Sequence, residues 1–508
     1  MRKSLLVLFF IVVITGAIIS NVKTDYFMPR TASFIDGKEI KDTNYIIHSN
    51  KNVTTIIDKS RVNLEDAYLS ESDIEIKNYL IEYLKSVEKN RYFSGQILVS
   101  KNNKVFIDRT YGFADFENEI KATSTTSFSI GSVTKQFTAA AIIQLIEKNL
   151  LSYEDKISKF LSNVPYGDKI TIHHLLNHTS GLPNYTNYLE NYFNEKLGEI
   201  DPYDVNSIDE ANSIFNFENI ISIVQDIPLD FEPGTNWNYS NTGYLVLGKI
   251  VEEISGKTLI NYFNENIFEV AGMKNTKPSY EFDKRNVDAN GYSGYKEVIL
   301  NETDSFLLNI AYGAGYLSST TQDLFRWNDA LINGKIISKE SLEIKFSNMY
   351  GWFVSQGKYG EEISHGGMTS GFTSENAMFK KDNINIIFLS NKENYFFEDT
   401  KKGILEILNG EKINFVDEIK IFEISQEQLD KYVGIYEIEN MIKLTIFNRN
   451  GMLIIQGENQ PEVEFEAISE IEFTSLIHNI SIKFNDTESP SMLTLFQSGM
   501  EFPALKIK

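Results

Sequence analysis

The stretch that most limits what this chain can fold into runs from Phe137 to Ile146. Through Phe137, Ala139-Ala140-Ala141, Ile142-Ile143 and Leu145-Ile146 it is apolar almost all round as a helix. A helix of that kind belongs in the interior of a domain rather than on its surface. Its opening turn, Gly131-Ser132-Val133-Thr134-Lys135, is the exception. Ser132 and Lys135 lie three apart and so share a face. A hydroxyl there sits at the positive end of the helix dipole, beside a lysine that could take its proton. A free lysine, with a pKa of about 10.4, is too protonated at neutral pH to act as a base. Burial lowers that value. The turn therefore reads as a lysine-activated serine. The motif alone is cheap: Ser-x-x-Lys recurs at Ser20/Lys23, Ser86/Lys89 and Ser355/Lys358. A serine opening a helix also serves as an ordinary N-cap.

With 508 residues the chain is long enough for two or three domains, and 42% hydrophobic residues can bury a large core. The formal net charge of −22 argues against nucleic acid or an anionic membrane surface as a partner, because both select basic patches. Cysteine is absent, which excludes disulfides, thiolate metal sites, a cysteine nucleophile and a lipid-modified cysteine anchor. Nothing in the sequence asks for a cofactor or a metal.

The chain opens with Met1-Arg2-Lys3 and an apolar run from Leu5 to Ile19. A positive start before such a run is the pattern of an export signal or an N-terminal membrane anchor over 1–20. In either case the rest of the chain is expected on the outer side of the cytoplasmic membrane. Residues 21–72 are polar and read as a tether. An amphipathic pattern from Ile74 to Val87 predicts the first helix of a globular domain. A hairpin follows, Gly95 to Ser100 and Val105 to Tyr111.

Further along, the stretch from Ile170 to Pro183 reads as a short helix stopped by Gly181 and Pro183. His174 and His178 are four apart, but no His-Glu-x-x-His arrangement accompanies them, so they read as structural. Pro233-Gly234 marks a loop, and the apolar pattern from Leu245 to Ile254 predicts a helix from about Asn241 to Gly256. Tyr239 then sits on a loop at a helix start, where a phenol can shuttle protons while Asn241 orients substrate. The plainer alternative makes Tyr239 a loop aromatic and Asn241 an N-cap. Ala311 to Thr320 is rich in small residues that let backbones approach closely. Glu362 to Met368 is expected to end a strand with His365-Gly366-Gly367. After Asn391 the chain is charged through Lys412, and residues 396–417 read as a linker. From about Glu418 short alternating strands, with Asn450-Gly451 as a hairpin turn, predict a small all-β domain over 418–508.

Taken in order, these segments resemble the class C β-lactamase and penicillin-binding protein family of serine hydrolases, also called beta-lactamase-related or family S12 peptidases. The likeness is carried by Ser132-Val133-Thr134-Lys135, Leu175 to Pro183, Pro233-Gly234-Thr235 with Tyr239-Ser240-Asn241, Gly313 to Ser319, and His365-Gly366-Gly367. It implies an α/β (α+β) fold over 73–395: an antiparallel sheet flanked by helices, beside a helical subdomain. It also implies roles. Ser132 becomes the acylated nucleophile, Lys135 its deprotonating partner, and Tyr239 the shuttle to the leaving group. Asn241 would hold the substrate amide, and His365, Gly366 and Gly367 would form the strand wall. Main-chain N–H groups of Ser132 and Met368 would hold the oxyanion.

The chain departs from the family where Lys-Thr-Gly would stand. Imidazole is a weaker anchor for a carboxylate than lysine, and is only partly charged near neutral pH. That favours the esterase, D-amino-acid peptidase and carboxypeptidase branches over an efficient β-lactamase; the alternatives are a true β-lactamase or a non-catalytic receptor of the same fold that binds cell-wall peptides or β-lactams. The implied partners are a small-molecule or cell-wall peptide or ester substrate, with β-lactams as possible mimics. The C-terminal domain resembles the lipocalin-like appendage of some members.

Overall fold

The computed structural model of the protein describes residues 45–50, 53–58, 69–189, 192, 216–279, 288–293, 301–302, 311–392, 396–439, 441–458, 460, 462–475, 480–497 and 500–508. The expected leader, 1–20, and most of the expected tether lie outside them. Within the tether, Tyr45–Asn50 pairs antiparallel with Val53–Asp58. The polar composition hid this pairing, but Ile46, Ile47, Val53, Thr54, Thr55, Ile56 and Ile57 are β-branched residues that favour extended backbone. Among the described residues no helix is long and apolar enough to cross a membrane.

The first helix, α1, spans Glu71–Arg91. It starts three residues before the apolar pattern because Ser70 and Asp73 form a capping box that satisfies the first N–H groups. The hairpin β1, Gly95–Lys101, and β2, Lys104–Tyr111, follows as the sequence predicts. The nucleophile helix α2 runs Lys135–Glu147 behind a single 3₁₀ turn at Gly131–Thr134. Helix α3 spans Asn241–Ser255 and is closed by Gly256 in the left-handed conformation. Further along the chain are helices α4, Thr321–Ile332, and α5, Lys339–Ser347. Four strands complete the sheet: β3 Phe353–Gly357, β4 Gly360–Thr369, β5 Phe372–Phe379 and β6 Ile384–Ser390. The six strands lie in the order β3-β4-β5-β6-β1-β2, all antiparallel.

Because successive side chains of a strand point to opposite faces, the sheet feeds two cores. Ile97, Val99, Ile386 and Phe388 pack with α1 on one face. Leu98, Ile387 and Leu389 join the larger cluster containing Val133, Phe137 and Ala139 to Ile143 on the other. The all-apolar helix is thus sandwiched between the sheet and α3, as its composition demands.

Two expectations need correction. The span 396–417 is not a free linker. Its first half is helix α6, Phe397–Leu408, which buries Phe397, Ile404, Leu405, Ile407 and Leu408 against the same sheet face as α1. Its charges misled because Lys401, only 4% exposed, lies inside rather than in solvent. Its second half is tied to α1: Tyr79 Oη donates to the Ile413 carbonyl at 2.9 Å, and Asn90 Nδ2 to that of Val416 at 2.6 Å. His365-Gly366-Gly367, expected at a strand end, lies within β4. The strand continues because β5 pairs with it from Glu362 opposite Phe379 to Thr369 opposite Phe372.

The C-terminal domain is a closed barrel of eight strands, each paired with its neighbour in sequence and the first, Gly434–Ile438, with the last, Met500–Lys506. Asn450 and Gly451, both at positive φ, make the predicted turn. The barrel has its own core, into which a short helix, Gln426–Tyr432, contributes Leu429 and Tyr432. Tyr432 stacks on Phe484 with ring centroids 4.2 Å apart.

Under α6, Lys401 Nζ meets Glu362 at 2.6 Å, Glu398 at 2.8 Å and Glu375 at 3.3 Å. One amine cannot neutralise three carboxylates. Burial raises the Glu375 carboxyl above the usual range; Lys401 pulls it down, and Glu398 and Glu362 push it up again. The folded state then holds a proton that the unfolded chain gives up, so stability falls as pH rises from 4.5, the ordinary glutamate value, through the raised one. Glu375→Gln cannot ionise. Thermal melts should show its advantage over the natural protein widening by a few degrees between about pH 5 and about pH 8. Lys401→Met, which strands the carboxylates, should cost about 3–5 kcal/mol.

Candidate active site

The nucleophile turn is shaped by close backbone approach. Gly131 adopts φ +46°, and a Cβ there would stand 2.8 Å from the main-chain N of Met368. A Cβ on Gly367 would come within 2.0 Å of the Ile130 carbonyl oxygen. Both positions therefore require glycine, and together they press strand β4 against the turn bearing Ser132. Gly366 faces the other way, with Glu375 beneath it.

Two side chains, Lys135 and Tyr239, converge on Ser132, and Asn241 joins them through Lys135. Lys135 Nζ lies 3.0 Å from Ser132 Oγ, 2.7 Å from Asn241 Oδ1 and 2.7 Å from the Ala314 carbonyl. Tyr239 Oη donates to Ser132 Oγ at 2.8 Å. Lys135 is wholly buried, and among the described residues it has no carboxylate partner, so burial drives its pKa well below the usual lysine value. A neutral amine has two N–H bonds and one lone pair. Asn241 Oδ1 and the Ala314 carbonyl can only accept, so they take the two N–H bonds. In that neutral form the lone pair would be left for the Ser132 hydroxyl proton.

Burial likewise raises Tyr239 well above the ordinary phenol value, so it stays protonated and can donate. Lys135 Nζ lies 4.8 Å from the centre of the Tyr239 ring. Asn241 is held by its main-chain N–H donating to Asn184 Oδ1 at 3.1 Å, and α3 is capped by Ser240 rather than by Asn241. Asn241 Oδ1 is turned to Lys135.

His365 behaves differently from the expectation of a partly charged anchor. It is 3% exposed, packed on Phe353 at 4.9 Å and beside Tyr239 at 6.2 Å. Burial and then the nearby Lys135 hold its imidazole down to about 3, so it is neutral. Its Nδ1 donates to the Gly366 carbonyl at 2.6 Å, which leaves Nε2 as an acceptor.

Sequence reading missed His178 as a member of this group. Its ring stacks on Tyr239 at 4.5 Å and 29°, and its Nδ1 accepts from the Ser240 N–H at 3.2 Å. It therefore braces the phenol from behind, consistent with a structural histidine but placed at the site. The signal was its position in Asn177 to Pro183, a stretch already singled out. The Ala314 carbonyl was also missed; no side chain advertises it.

A sheet of this order, an α2 helix buried across it and a serine held by a buried lysine and a phenol define a serine hydrolase of the β-lactamase and penicillin-binding protein fold. Residues 80–409 match the family model described as Beta-lactamase, and the chain belongs to that family. It is 27% identical to "Penicillin-binding protein 4*" of Bacillus subtilis over 468 residues, 85% of this chain and 99% of that protein. Among solved structures it resembles an octameric penicillin-binding protein homologue from Pyrococcus abyssi, at TM-score 0.56 and 24% identity, covering 84% of this chain and 99% of the other. It also resembles the D-amino acid amidase of Ochrobactrum anthropi, at TM-score 0.54 and 20% identity, covering 67% and 98%.

Loss of the base should be severe. Lys135→Ala should lower kcat by about a hundredfold to ten-thousandfold, measured on any ester or amide the natural protein turns over. The kcat/KM profile should fall on the acid side as Lys135 gains a proton, at a midpoint well below 10.5. Lys135→Arg, permanently charged, should be inactive across that range.

Proposed function

We propose that the protein is an exported serine hydrolase that cleaves peptide, amide or ester bonds through an acyl-enzyme at Ser132. The observation that carries this reading is the convergence of the buried Lys135 Nζ and Tyr239 Oη on Ser132 Oγ, at 3.0 and 2.8 Å. Lys135 takes the serine proton as Oγ bonds to the substrate carbonyl carbon. Main-chain N–H groups of Ser132 and Met368 hold the oxyanion, where one donor is typically worth about 2.7–4 kcal/mol. As the carbon–nitrogen or carbon–oxygen bond breaks, Tyr239 passes a proton to the leaving group. Water then attacks the ester, its proton returns to the Tyr239 and Lys135 pair, and Ser132 Oγ is released protonated.

The strand wall supports amide and ester substrates over an efficient β-lactamase activity. A neutral His365, buried behind Tyr239 and Phe353, supplies no cation to grip an antibiotic's carboxylate where Lys-Thr-Gly would stand. The relative called a penicillin-binding protein and the D-amino acid amidase neighbour suggest peptides or amides ending in D-amino acids, as in the cell wall. The start Met1-Arg2-Lys3 with Leu5 to Ile19 supports export, with the enzyme secreted or held on the outer membrane face.

A fluorescent penicillin tests the reading. Protein lacking residues 1–20 should form a covalent adduct that Ser132→Ala cannot form, and should hydrolyse D-aminoacyl amides or esters. Turnover surviving in Ser132→Ala would overturn the assignment. Rapid destruction of the penicillin without lasting adduct would shift the activity towards a β-lactamase.

A further inference from the structure

Behind the reacting groups lies a run of buried side-chain amides that the reaction does not use. Gln136, the residue after Lys135, accepts at Oε1 from Trp327 Nε1 at 3.0 Å and from Asn376 Nδ2 at 3.0 Å. Asn376 and Asn328 bond each other twice, at 2.7 and 2.9 Å. Asn328 also donates to Asn385 Oδ1 at 3.0 Å, and Asn385 Nδ2 donates to Ser100 Oγ at 3.2 Å. The main-chain carbonyl of Gln136 takes a further bond from Lys345 Nζ of α5 at 3.1 Å. All of these side chains are buried. The run crosses from α2 through α4 to strands β5, β6 and β1.

Two of its members matter. One, Gln136, is the residue next to Lys135. The other, Asn376, bonded directly to it, stands on β5 opposite His365 of the substrate strand. The same strand also touches the nucleophile turn, through Ser374 Oγ donating to the Ile130 carbonyl at 2.8 Å. Amides in an apolar interior are costly unless bonded, and apolar groups of the same shape can replace a bonded pair at little cost. Only Gln136 Nε2 among these amide groups lacks a partner, and what a buried network bonded at its other positions adds is one fixed relative placement of the elements it joins.

Resting on the hydrolase reading above, we propose that Gln136, Asn376 and Asn328 are positioning residues that key the nucleophile helix to the substrate strand. They set the spacing between Ser132 Oγ on one element and the Met368 N–H on the other. Misplacement of such groups by about 1 Å costs about a hundredfold in rate.

The test compares Gln136→Leu, Asn376→Leu, their double variant and Gln136→Glu, which keeps the acceptor. Steady-state hydrolysis of a p-nitrophenyl ester, the rate of Ser132 labelling by a fluorophosphonate, and melting temperature are read for each. Each leucine variant should lose about tenfold to a hundredfold in kcat with KM nearly unchanged. The double variant should lose little more than the worse single one, and Gln136→Glu should recover most of the rate. Wild-type kcat in folded leucine variants, losses that follow melting temperature, or no recovery in Gln136→Glu would overturn the proposal. Should the leucine variants not fold, Trp327→Phe removes one donor while keeping the ring. A lower kcat at unchanged KM supports the proposal there, and an unchanged kcat overturns it. A natural protein that neither labels at Ser132 nor depends on it overturns the hydrolase reading as well; indifferent variants of an active enzyme overturn only this inference.

Discussion

The site depends on an amine kept dry. Lys135 is wholly buried and bonded to a hydroxyl, an amide oxygen and a main-chain carbonyl. A charged amine is disfavoured there, and a neutral one has a use for each of its three positions. The chain carries 70 acidic residues against 48 basic ones, yet among the described residues none of the acids pairs with this lysine. A carboxylate beside it would hold the proton on and remove the base. The acidity of the protein is thus kept at a distance from the one place where it would do harm.

Much of the surrounding architecture follows from that requirement. The all-apolar helix provides the dry wall, the sheet and α3 cover it on either side, and Gly131 and Gly367 bring the strand and the turn into contact. Tyr239, braced by His178, closes the remaining side. Lys401 offers the contrasting solution to the same problem. It too is buried, but three carboxylates keep it charged, and it serves packing on the far face of the sheet rather than chemistry.

The elements with strong periodicity were legible in the sequence: α2, α3, the β1–β2 hairpin and the Asn450-Gly451 turn all fall where pattern and turn chemistry put them. The meeting of Ser132, Lys135, Tyr239 and Asn241 was visible only through family likeness, because residues over a hundred positions apart leave no local trace of their contact. Helix α6 was hidden because charge density imitates solvent exposure; only the burial of Lys401 reveals otherwise. His365 misled for a related reason. Its residue type suggested partial charge, but protonation is decided by what surrounds the ring, which strand pattern cannot state. The helical signal at Ile74 was right in kind and short in extent, since the capping box that starts α1 is polar.

The return of residues 411–417 along α1 gives the hydrolase domain a mechanical property. Tyr79 both gives to and takes from Ile413, and Asn90 and Arg91 hold Val416 and Asp417. The strand of chain entering the domain and the one leaving it towards the barrel are therefore fastened to each other, on the sheet face away from Ser132. Tension applied between the two ends would load this seam first, and could be borne or relieved there before it strained the geometry around the nucleophile.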